Sequence, residues 1–319
     1  ILELLMIKGG YLFLSILLFA MGGSYIHYLN TRRDAIRSFK LNKANELLKM
    51  QKEELADKNK EITDSINYAK RIQEAMLSYH ETYEKIPDNF ILFMPKDIVS
   101  GDFYWFKILD GYFYAAVADC TGHGVPGGFM SMLSIALLNN IVESNELTAS
   151  ESLNLLRKRI VDNLHSANDG LDISFCKINL KTKELNWAGA NIPLYLVRKH
   201  TDFNQFDEHY GNLGFLKPDS EPIGVSRTMK PFTDRYIQLH EEDELFLFSD
   251  GYADQFGGPR LKKFKYQRLK KLCMEVYDLP LESQKQKLQQ AFMEWKQDYP
   301  QVDDVCIVGI KCRNLDAFI

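Results

Sequence analysis

Two apolar runs, 103–109 and 112–118, meet at the dipeptide Asp110-Gly111, and no other feature of the sequence restricts the fold so tightly. Asp-Gly between such runs marks a two-residue β-hairpin, whose loop length sets the strand register. Leu109 then faces Tyr112, and counting outward sets Asp102 directly opposite Asp119. Their Cβ atoms would stand about 5 Å apart on one face of the sheet. Two carboxylates so placed repel unless a cation lies between them or one is protonated. Mg²⁺ and Mn²⁺ are hard ions that take carboxylates, carbonyls and water, and either would resolve the conflict. Capping of strand ends is the plainer role for two Asp residues, and spacing alone leaves both readings open.

Downstream of Pro87 the chain falls into short apolar runs broken by Gly, Asp and Asn. Segments 90–94, 103–109, 112–118, 173–180, 185–187, 194–197, 245–248 and 305–310 read as strands. Segments 129–142, 149–164, 261–276 and 282–299 read as helices. Strands arrive in consecutive hairpins with helices between the groups, which predicts an α+β class with largely antiparallel sheet.

Upstream, no formal charge occurs between Lys8 and Arg32. As a helix this run spans about 34 Å at ~1.5 Å per residue, enough to cross a bilayer. Tyr25 and Tyr28 stand where interfacial aromatics belong, and Arg32, Arg33, Arg37 and Lys40 follow. The positive-inside rule then predicts a single-pass anchor in the inner (cytoplasmic) membrane, with everything downstream in the cytoplasm. The alternatives are a helix covered by a protein partner and a signal peptide cut near Ala20-Met21-Gly22. Glu3 makes a poor basic n-region for the latter.

From 32 to 85 the chain is polar and free of Gly and Pro. Leu41, Leu48, Leu55, Ile62, Ala69 and Met76 recur every seven residues, the a-position spacing of a coiled coil. The row three residues on (Ala44, Gln51, Lys58, Ser65, Ile72) is mostly polar, so the seam is weak. A homodimeric signalling helix is preferred over a lone solvated helix or one docked on the next domain. The expected organisation is a transmembrane anchor at 1–31, a helical, possible coiled-coil linker at 32–85 and a globular domain at 86–319.

A net charge of −4 makes no case for nucleic-acid binding on global charge. Five cysteines (Cys120, Cys176, Cys273, Cys306, Cys312) lie scattered without a C-x-x-C pair. That argues against a disulfide framework or a cysteine zinc site, and for a reducing compartment.

Further acids join the Asp102–Asp119 pair. Asp250 ends the run Leu245-Phe-Leu-Phe-Ser and precedes Gly251, and Asp303-Asp304 precede Val305-Cys-Ile-Val-Gly-Ile. Each alone is most simply a turn residue, but strand-end carboxylates arriving together suggest convergence on one sheet edge. Ser100-Gly-Asp102-Phe-Tyr, Val117-Ala-Asp119-Cys-Thr-Gly-His-Gly, Ser249-Asp250-Gly251 and Asp303-Asp304-Val form an ordered set of blocks. In them the chain resembles the metal-dependent serine/threonine protein phosphatase (PPM) family, in its bacterial SpoIIE/RsbU-type branch. Trp187-Ala-Gly-Ala-Asn-Ile-Pro-Leu-Tyr-Leu and Glu221-Pro-Ile-Gly match that branch in type and order. The resemblance covers 86 to 313. The segment ending Tyr68-Ala-Lys-Arg-Ile-Gln-Glu-Ala-Met-Leu is similar to the lead-in helix such proteins often carry.

The resemblance implies a sandwich of two antiparallel β-sheets flanked by helices, here preceded by the transmembrane helix and the long helical linker. It also implies two Mn²⁺ or Mg²⁺ ions at one edge. By position Asp119 would bridge the ions at the catalytic centre, and the Cys120 carbonyl would ligate one of them. Asp250 and Asp303 would complete the set, with Asp102 on the second ion or on a third, weaker one. Asp304 is the lesser candidate of its pair, with exchange of the two roles left open. Two ions lower the pKa of water and clamp phosphoryl oxygens for in-line attack, so no protein nucleophile is required.

His123, within Gly122-His-Gly-Val-Pro-Gly-Gly, is the candidate proton donor to the leaving serine, a plain loop role being its alternative. No Arg is placed to hold the substrate phosphate as in the eukaryotic members, a residue the bacterial branch typically lacks. Gly122, Gly124, Gly127 and Gly128 lead into the helix expected at 129 and either present N–H groups to an anion or form a flexible connection. The run 260–271 is strongly basic and reads as a solvated helix face, or as a docking surface for an acidic partner or anionic lipid. The stretch 202–215 reads as a surface loop.

The expected function is a membrane-tethered phosphatase acting on phosphoserine or phosphothreonine of a bacterial signalling protein. By resemblance that partner would be an anti-sigma-factor antagonist or a similar small regulatory domain. A degenerate phosphatase domain serving as a membrane-tethered binding module is the non-enzymatic alternative. A two-metal nucleotide cyclase is the rival chemistry, and it would leave Ser249-Asp250-Gly251 and Asp303-Asp304 unused.

Overall fold

The computed structural model describes residues 2–77, 86–144, 146–164, 169–199 and 202–318. Ile1 of the expected anchor and 78–85 of the expected linker lie outside them. Helix α1 (Leu2–Leu77) is followed by β1 (Asn89–Met94), β2 (Phe103–Leu109) and β3 (Tyr112–Cys120). Then come α2 (Gly124–Ser144), α3 (Ala149–Leu164), β4 (Leu171–Asn179), β5 (Glu184–Ala190) and β6 (Leu194–Val197). Three short strands, β7 (Glu208–Tyr210), β8 (Leu213–Leu216) and β9 (Arg235–Gln238), precede β10 (Glu244–Phe248). The chain ends with α4 (Gly251–Asp254), β11 (Phe256–Gly257), β12 (Lys262–Lys263), α5 (Tyr266–Val276), α6 (Leu281–Lys296), β13 (Val305–Lys311) and a 3₁₀ turn (Leu315–Phe318).

Asp110 (φ 50°) and Gly111 (φ 76°) adopt the left-handed conformations that a type I′ hairpin demands, and Leu109 faces Tyr112. The pairing extends into a five-stranded antiparallel sheet ordered β2-β3-β4-β5-β9. A six-stranded antiparallel sheet, ordered β1-β13-β10-β6-β8-β7, lies against it. Strand alternation sorts the side chains into layers. Phe113, Ala115 and Val117 face inward and share a core with Leu245 and Leu247 of β10 and Val308 and Ile310 of β13. Tyr114, Ala116 and Ala118 face outward and share one with Ile135 and Leu138 of α2 and Leu153 and Leu156 of α3. On the far side, Phe246, Phe248 and Ile307 are covered by Leu269 and Cys273 of α5 and by Leu288 and Phe292 of α6. The result is the expected α+β sandwich of two antiparallel sheets flanked by helices.

Two expectations need correcting. The helix expected at 261–276 begins only at Tyr266, because Lys262-Lys263 pair with Phe256-Gly257 as a hairpin. Leu261 (φ 45°) and Lys265 (φ 74°) both stand at positive φ, which no helix accommodates. The stretch 202–215 is not bare loop either, since β7 and β8 pair across the two-residue turn Gly211-Asn212. All of β7 is exposed, so no alternating pattern betrays it.

The chain divides into two compact units, 1–65 and 66–319. In the first, every described side chain is exposed, including Phe13, Phe19, Leu41, Leu48, Leu55 and Ile62. Its apolar stretch is long enough to cross a membrane and has none of its surface buried. The segment Gly124–Glu143 of α2 meets the same criterion but is half buried, as a core helix is. Residues 66–77 belong to the second unit. There the buried Gln73 side-chain amide donates to the Ser100 carbonyl (2.7 Å) and the Ser131 hydroxyl (2.8 Å), and its Oε1 accepts from the Ser100 N–H (3.1 Å). For this last part of α1, docking on the globular domain is the outcome.

Candidate metal centre

The β2–β3 ladder runs from Leu109↔Tyr112 to Phe103↔Ala118, so one step further Asp102 stands across from Asp119. On the other flank of β3, Asp119 pairs with Asp172 of β4. Residues directly opposite share a face. Asp119 also has the parity of Phe113, Ala115 and Val117, which face the second sheet. A row of three acids therefore lines the open end of the layer between the sheets. The second sheet contributes from the same end, because β10 and β13 run antiparallel with Phe248 opposite Ile307. Ser249-Asp250 leave β10 where Asp303-Asp304 enter β13, and the Ser249 N–H donates to the Cys306 carbonyl (2.9 Å).

Within this cluster Asp102 is 2% exposed, and its Oδ2 has no hydrogen-bond partner. Burial, then the Asp119 charge, pushes the Asp102 carboxyl well above the usual range, against a hydrogen bond from Ser249. Burial and then Asp250, Asp303 and Asp172 push Asp119 up to about 8. Asp172 rises to about 6 through burial and Asp250, opposed by the Asn191 amide, and Asp250 rises through burial, Asp254 and Asp303.

Asp303 lines a cleft together with Asp119, Asp172, Asp169, Cys120 and His123. Its neighbour is otherwise engaged. Asp304 Oδ1 accepts the Lys96 N–H (2.7 Å) and Oδ2 the Gly101 N–H (2.8 Å), which tethers the loop that delivers Asp102. Asp304, the lesser ligand candidate of the pair in the sequence, thus has a backbone N–H on each carboxylate oxygen. His123 Nδ1 lies 2.6 Å from Asp97 Oδ2, an arrangement that orients the ring at the cleft. The same Asp97 carboxylate borders Gly124 at the start of α2. An acid thus stands at the helix N-terminus that the glycine-rich loop seemed to offer to an anion. Glycine is required in that loop, since a Cβ on Gly127 would come within 2.2 Å of the Gly122 carbonyl oxygen. All five cysteines are buried, and burial raises the Cys120 thiol well above its usual range, so no thiolate nucleophile is at hand.

Asp172, Asp97 and Ser249 are the site residues that the sequence reading missed. Asp172 was within reach: carrying the hairpin count one strand further, and starting β4 at Leu171 instead of Ile173, sets it beside Asp119.

Among the described residues no three His, Cys, Asp or Glu side chains surround one point as metal ligands. The chemistry of the donors nevertheless fits a divalent cation. Several buried acids repel one another, and one of their oxygens is orphaned in the interior. An oxygen-seeking ion is the partner such a set lacks.

Residues 109–313 match the family model of stage II sporulation protein E, SpoIIE. The chain belongs to the SpoIIE family. Among solved structures it is similar to the SiaA-PP2C domain of Pseudomonas aeruginosa, with a TM-score of 0.70 and 26% identity over 79% of this chain and 98% of that one. It is also similar in fold to the PP2C phosphatase domain of SpoIIE from Bacillus subtilis, determined with a fragment of its regulatory domain. That likeness has a TM-score of 0.57 and 20% identity over 71% of this chain and 63% of that one. The RsbU and RsbW domains of a Mycobacterium tuberculosis protein give a TM-score of 0.57 at 16% identity, over 72% of this chain and 61% of that one. Comparison with curated proteins finds no match. Family and fold are those of the PP2C-type serine/threonine phosphatases, which are metal-dependent hydrolases, and this answers the cyclase alternative.

Proposed function

We propose that this SpoIIE-family phosphatase removes phosphate from serine or threonine of a bacterial signalling protein while tethered to the cytoplasmic face of the inner membrane. The observation that carries the reading is the meeting of Asp102, Asp119, Asp250 and Asp303 from both sheets at one edge, with a buried carboxylate oxygen left unpartnered. These four side chains, with the Cys120 carbonyl, would hold Mn²⁺ or Mg²⁺, and Asp172 stands ready beside Asp119. Such ions acidify water and offset the charge of the phosphoryl oxygens. The chain's own groups supply the rest. His123, oriented by Asp97, donates a proton to the departing serine oxygen, and Asp304 holds the loop that carries Asp102 in place.

The anchor reading rests on the exposed apolar stretch of α1 and the cations Arg32, Arg33, Arg37 and Lys40 after it. Exposed Leu41, Leu48, Leu55 and Ile62 at heptad spacing support pairing with a second copy, and an anti-sigma-factor antagonist or similar small domain suits the family as substrate.

The test is Mn²⁺-dependent phosphate release by the detergent-solubilised chain from p-nitrophenyl phosphate and a phosphoserine protein. Asp119→Asn and Asp250→Asn serve as controls. Metal-dependent release that both variants lose supports the reading. A chain that binds no Mn²⁺ and releases no phosphate is the binding module instead.

A further inference from the structure

The segment from Arg260 to Lys271 carries seven cationic side chains and no acidic one, in a chain whose net charge is −4. It is neither a floppy run nor a simple helix face. Lys262 and Lys263 sit on β12, Lys265 stands at positive φ where α5 begins, and Arg268, Lys270 and Lys271 lie on α5. Buried contacts hold this arrangement rigid. Phe264 packs edge-on against Tyr252 and Trp295, the Phe264 N–H donates to the Gln255 carbonyl (2.9 Å), and the Lys265 N–H donates to the Ala253 carbonyl (2.7 Å). Some of the charges are already engaged. Lys263 pairs with Asp254 at 2.6 Å, Arg268 stacks on Trp295 at 4.0 Å, and Lys270 lies over the Phe215 ring at 4.2 Å. Arg260, Lys262, Lys265 and Lys271 are exposed and point their charge at solvent.

The position of this strip matters as much as its charge. It follows Asp250 through the four-residue helix α4, in which the Asp254 N–H donates to the Asp250 carbonyl (2.9 Å) and the Asp254 carboxylate holds Lys263. The Tyr266 ring packs on that of Phe248 with centroids 6.0 Å apart, two residues before Asp250, which sets the start of α5 beside the strand end that delivers this acid. Exposed Phe256, Leu261 and Tyr266 lie among the cations, so the strip offers apolar contact as well as charge. The cleft itself is lined by the acids Asp169, Asp172 and Asp303.

We propose that the hairpin β11–β12 and the first turns of α5 form the docking surface for an acidic stretch flanking the phosphorylated residue of the protein substrate. This rests on the phosphatase reading above. Fixed cations beside the reaction site raise the local concentration of an acidic substrate and hold its phosphoserine over the aspartates, where the site's own negative charge would otherwise repel it. A position contiguous with the catalytic cleft favours substrate over a lipid surface.

The test uses the full chain in Mn²⁺ with two phosphoserine peptides of equal length, one with Asp and Glu around the phosphoserine and one with Asn and Gln at the same positions. The acidic peptide should have a kcat/KM about tenfold higher or more at low salt, mostly through KM. The preference should collapse near ~0.5 M NaCl, where screening shortens to a few Å. It should vanish in Lys262→Glu/Lys265→Glu/Lys271→Glu, while p-nitrophenyl phosphate hydrolysis stays unchanged. The milder Lys262→Gln/Lys265→Gln should give a partial loss, which guards against misfolding of the triple variant. Equal kcat/KM for the two peptides, with p-nitrophenyl phosphate still hydrolysed, overturns the docking surface and leaves the phosphatase reading intact. So does a triple variant that keeps the peptide preference but loses affinity for phosphatidylserine vesicles, since that result assigns the strip to lipid. Absence of all hydrolysis overturns both.

Discussion

Asp304 gives one oxygen to the Lys96 N–H and the other to the Gly101 N–H, whereas Asp303 lines the cleft with Asp119. Substitution should separate the two neighbours. Asp304→Ala strands two N–H groups, that of Gly101 buried, and should lower stability by about 2–4 kcal/mol, read from denaturant unfolding. Asp303→Asn should melt close to the parent temperature and lose phosphate release by about a hundredfold or more. If Asp304→Ala unfolds like the parent while losing activity, the two assignments are reversed. The His123–Asp97 pair makes a different kind of prediction. A general acid matters in proportion to how badly the leaving group needs its proton. His123→Gln should therefore slow phosphoserine hydrolysis by about a hundredfold and barely touch p-nitrophenyl phosphate, whose phenolate leaves unaided. Asp97→Asn should show the same selectivity to a smaller degree. Equal losses on both substrates would assign His123 to structure or to binding.

At the scale of elements, the docked end of α1 and the loop before β2 behave as one piece. Gln73 satisfies both backbone groups of Ser100, two residues ahead of Asp102. Gln73→Leu keeps the volume but leaves the buried Ser100 N–H unpaired and its carbonyl with only the longer Ser131 hydroxyl bond (3.3 Å), which should cost about 1–3 kcal/mol. Because the loop then holds Asp102 less firmly, Mn²⁺ affinity measured by calorimetry should fall too; an unchanged affinity would confine Gln73 to stability. Nothing in the sequence marks this residue, a glutamine in a polar helix with no periodic signal around it. The strut Asp304 is hidden for a related reason, since its partners Lys96 and Gly101 lie some two hundred positions away. By contrast the β2–β3 hairpin and its opposed aspartates are readable, because a two-residue turn converts local sequence into register. The sandwich is readable for the same reason, with long apolar strands separated by turn residues. The β11–β12 hairpin is not. A run of Lys, Arg and Leu has high helix propensity, and only tertiary anchoring of Phe264 and positive φ at Leu261 and Lys265 override it.

Across the whole molecule, the acids at the end of the sandwich set how stability responds to pH and to metal. Asp102, Asp119, Asp172 and Asp250 all have carboxyls raised by folding, through burial first and mutual repulsion second. An acid whose folded pKa exceeds its unfolded one holds its proton longer in the folded state. Between the two values the native chain binds more protons than the unfolded one, so stability falls as pH rises. This contribution is complete below the ordinary carboxylate range, near pH ~4. It is lost on passing about 6 for Asp172 and about 8 for Asp119. Metal-free protein should thus melt several degrees lower at pH 8.5 than at pH 5.5. Mn²⁺ binds the deprotonated set and should raise the melting temperature, more at pH 8.5 than at pH 5.5, because at the lower pH it must displace protons. Asp119→Asn removes one of the repelling charges while weakening the site. It should melt above the parent at pH 8.5 without metal, and gain little when Mn²⁺ is added. A parent protein whose metal-free melting temperature is flat across this range, or an Asp119→Asn that melts lower at pH 8.5, would show that these carboxylates are not the strained cluster described. A parent with the expected pH profile but no response to Mn²⁺ would keep the cluster and remove its ion, which is the behaviour of a binding module and not of a phosphatase.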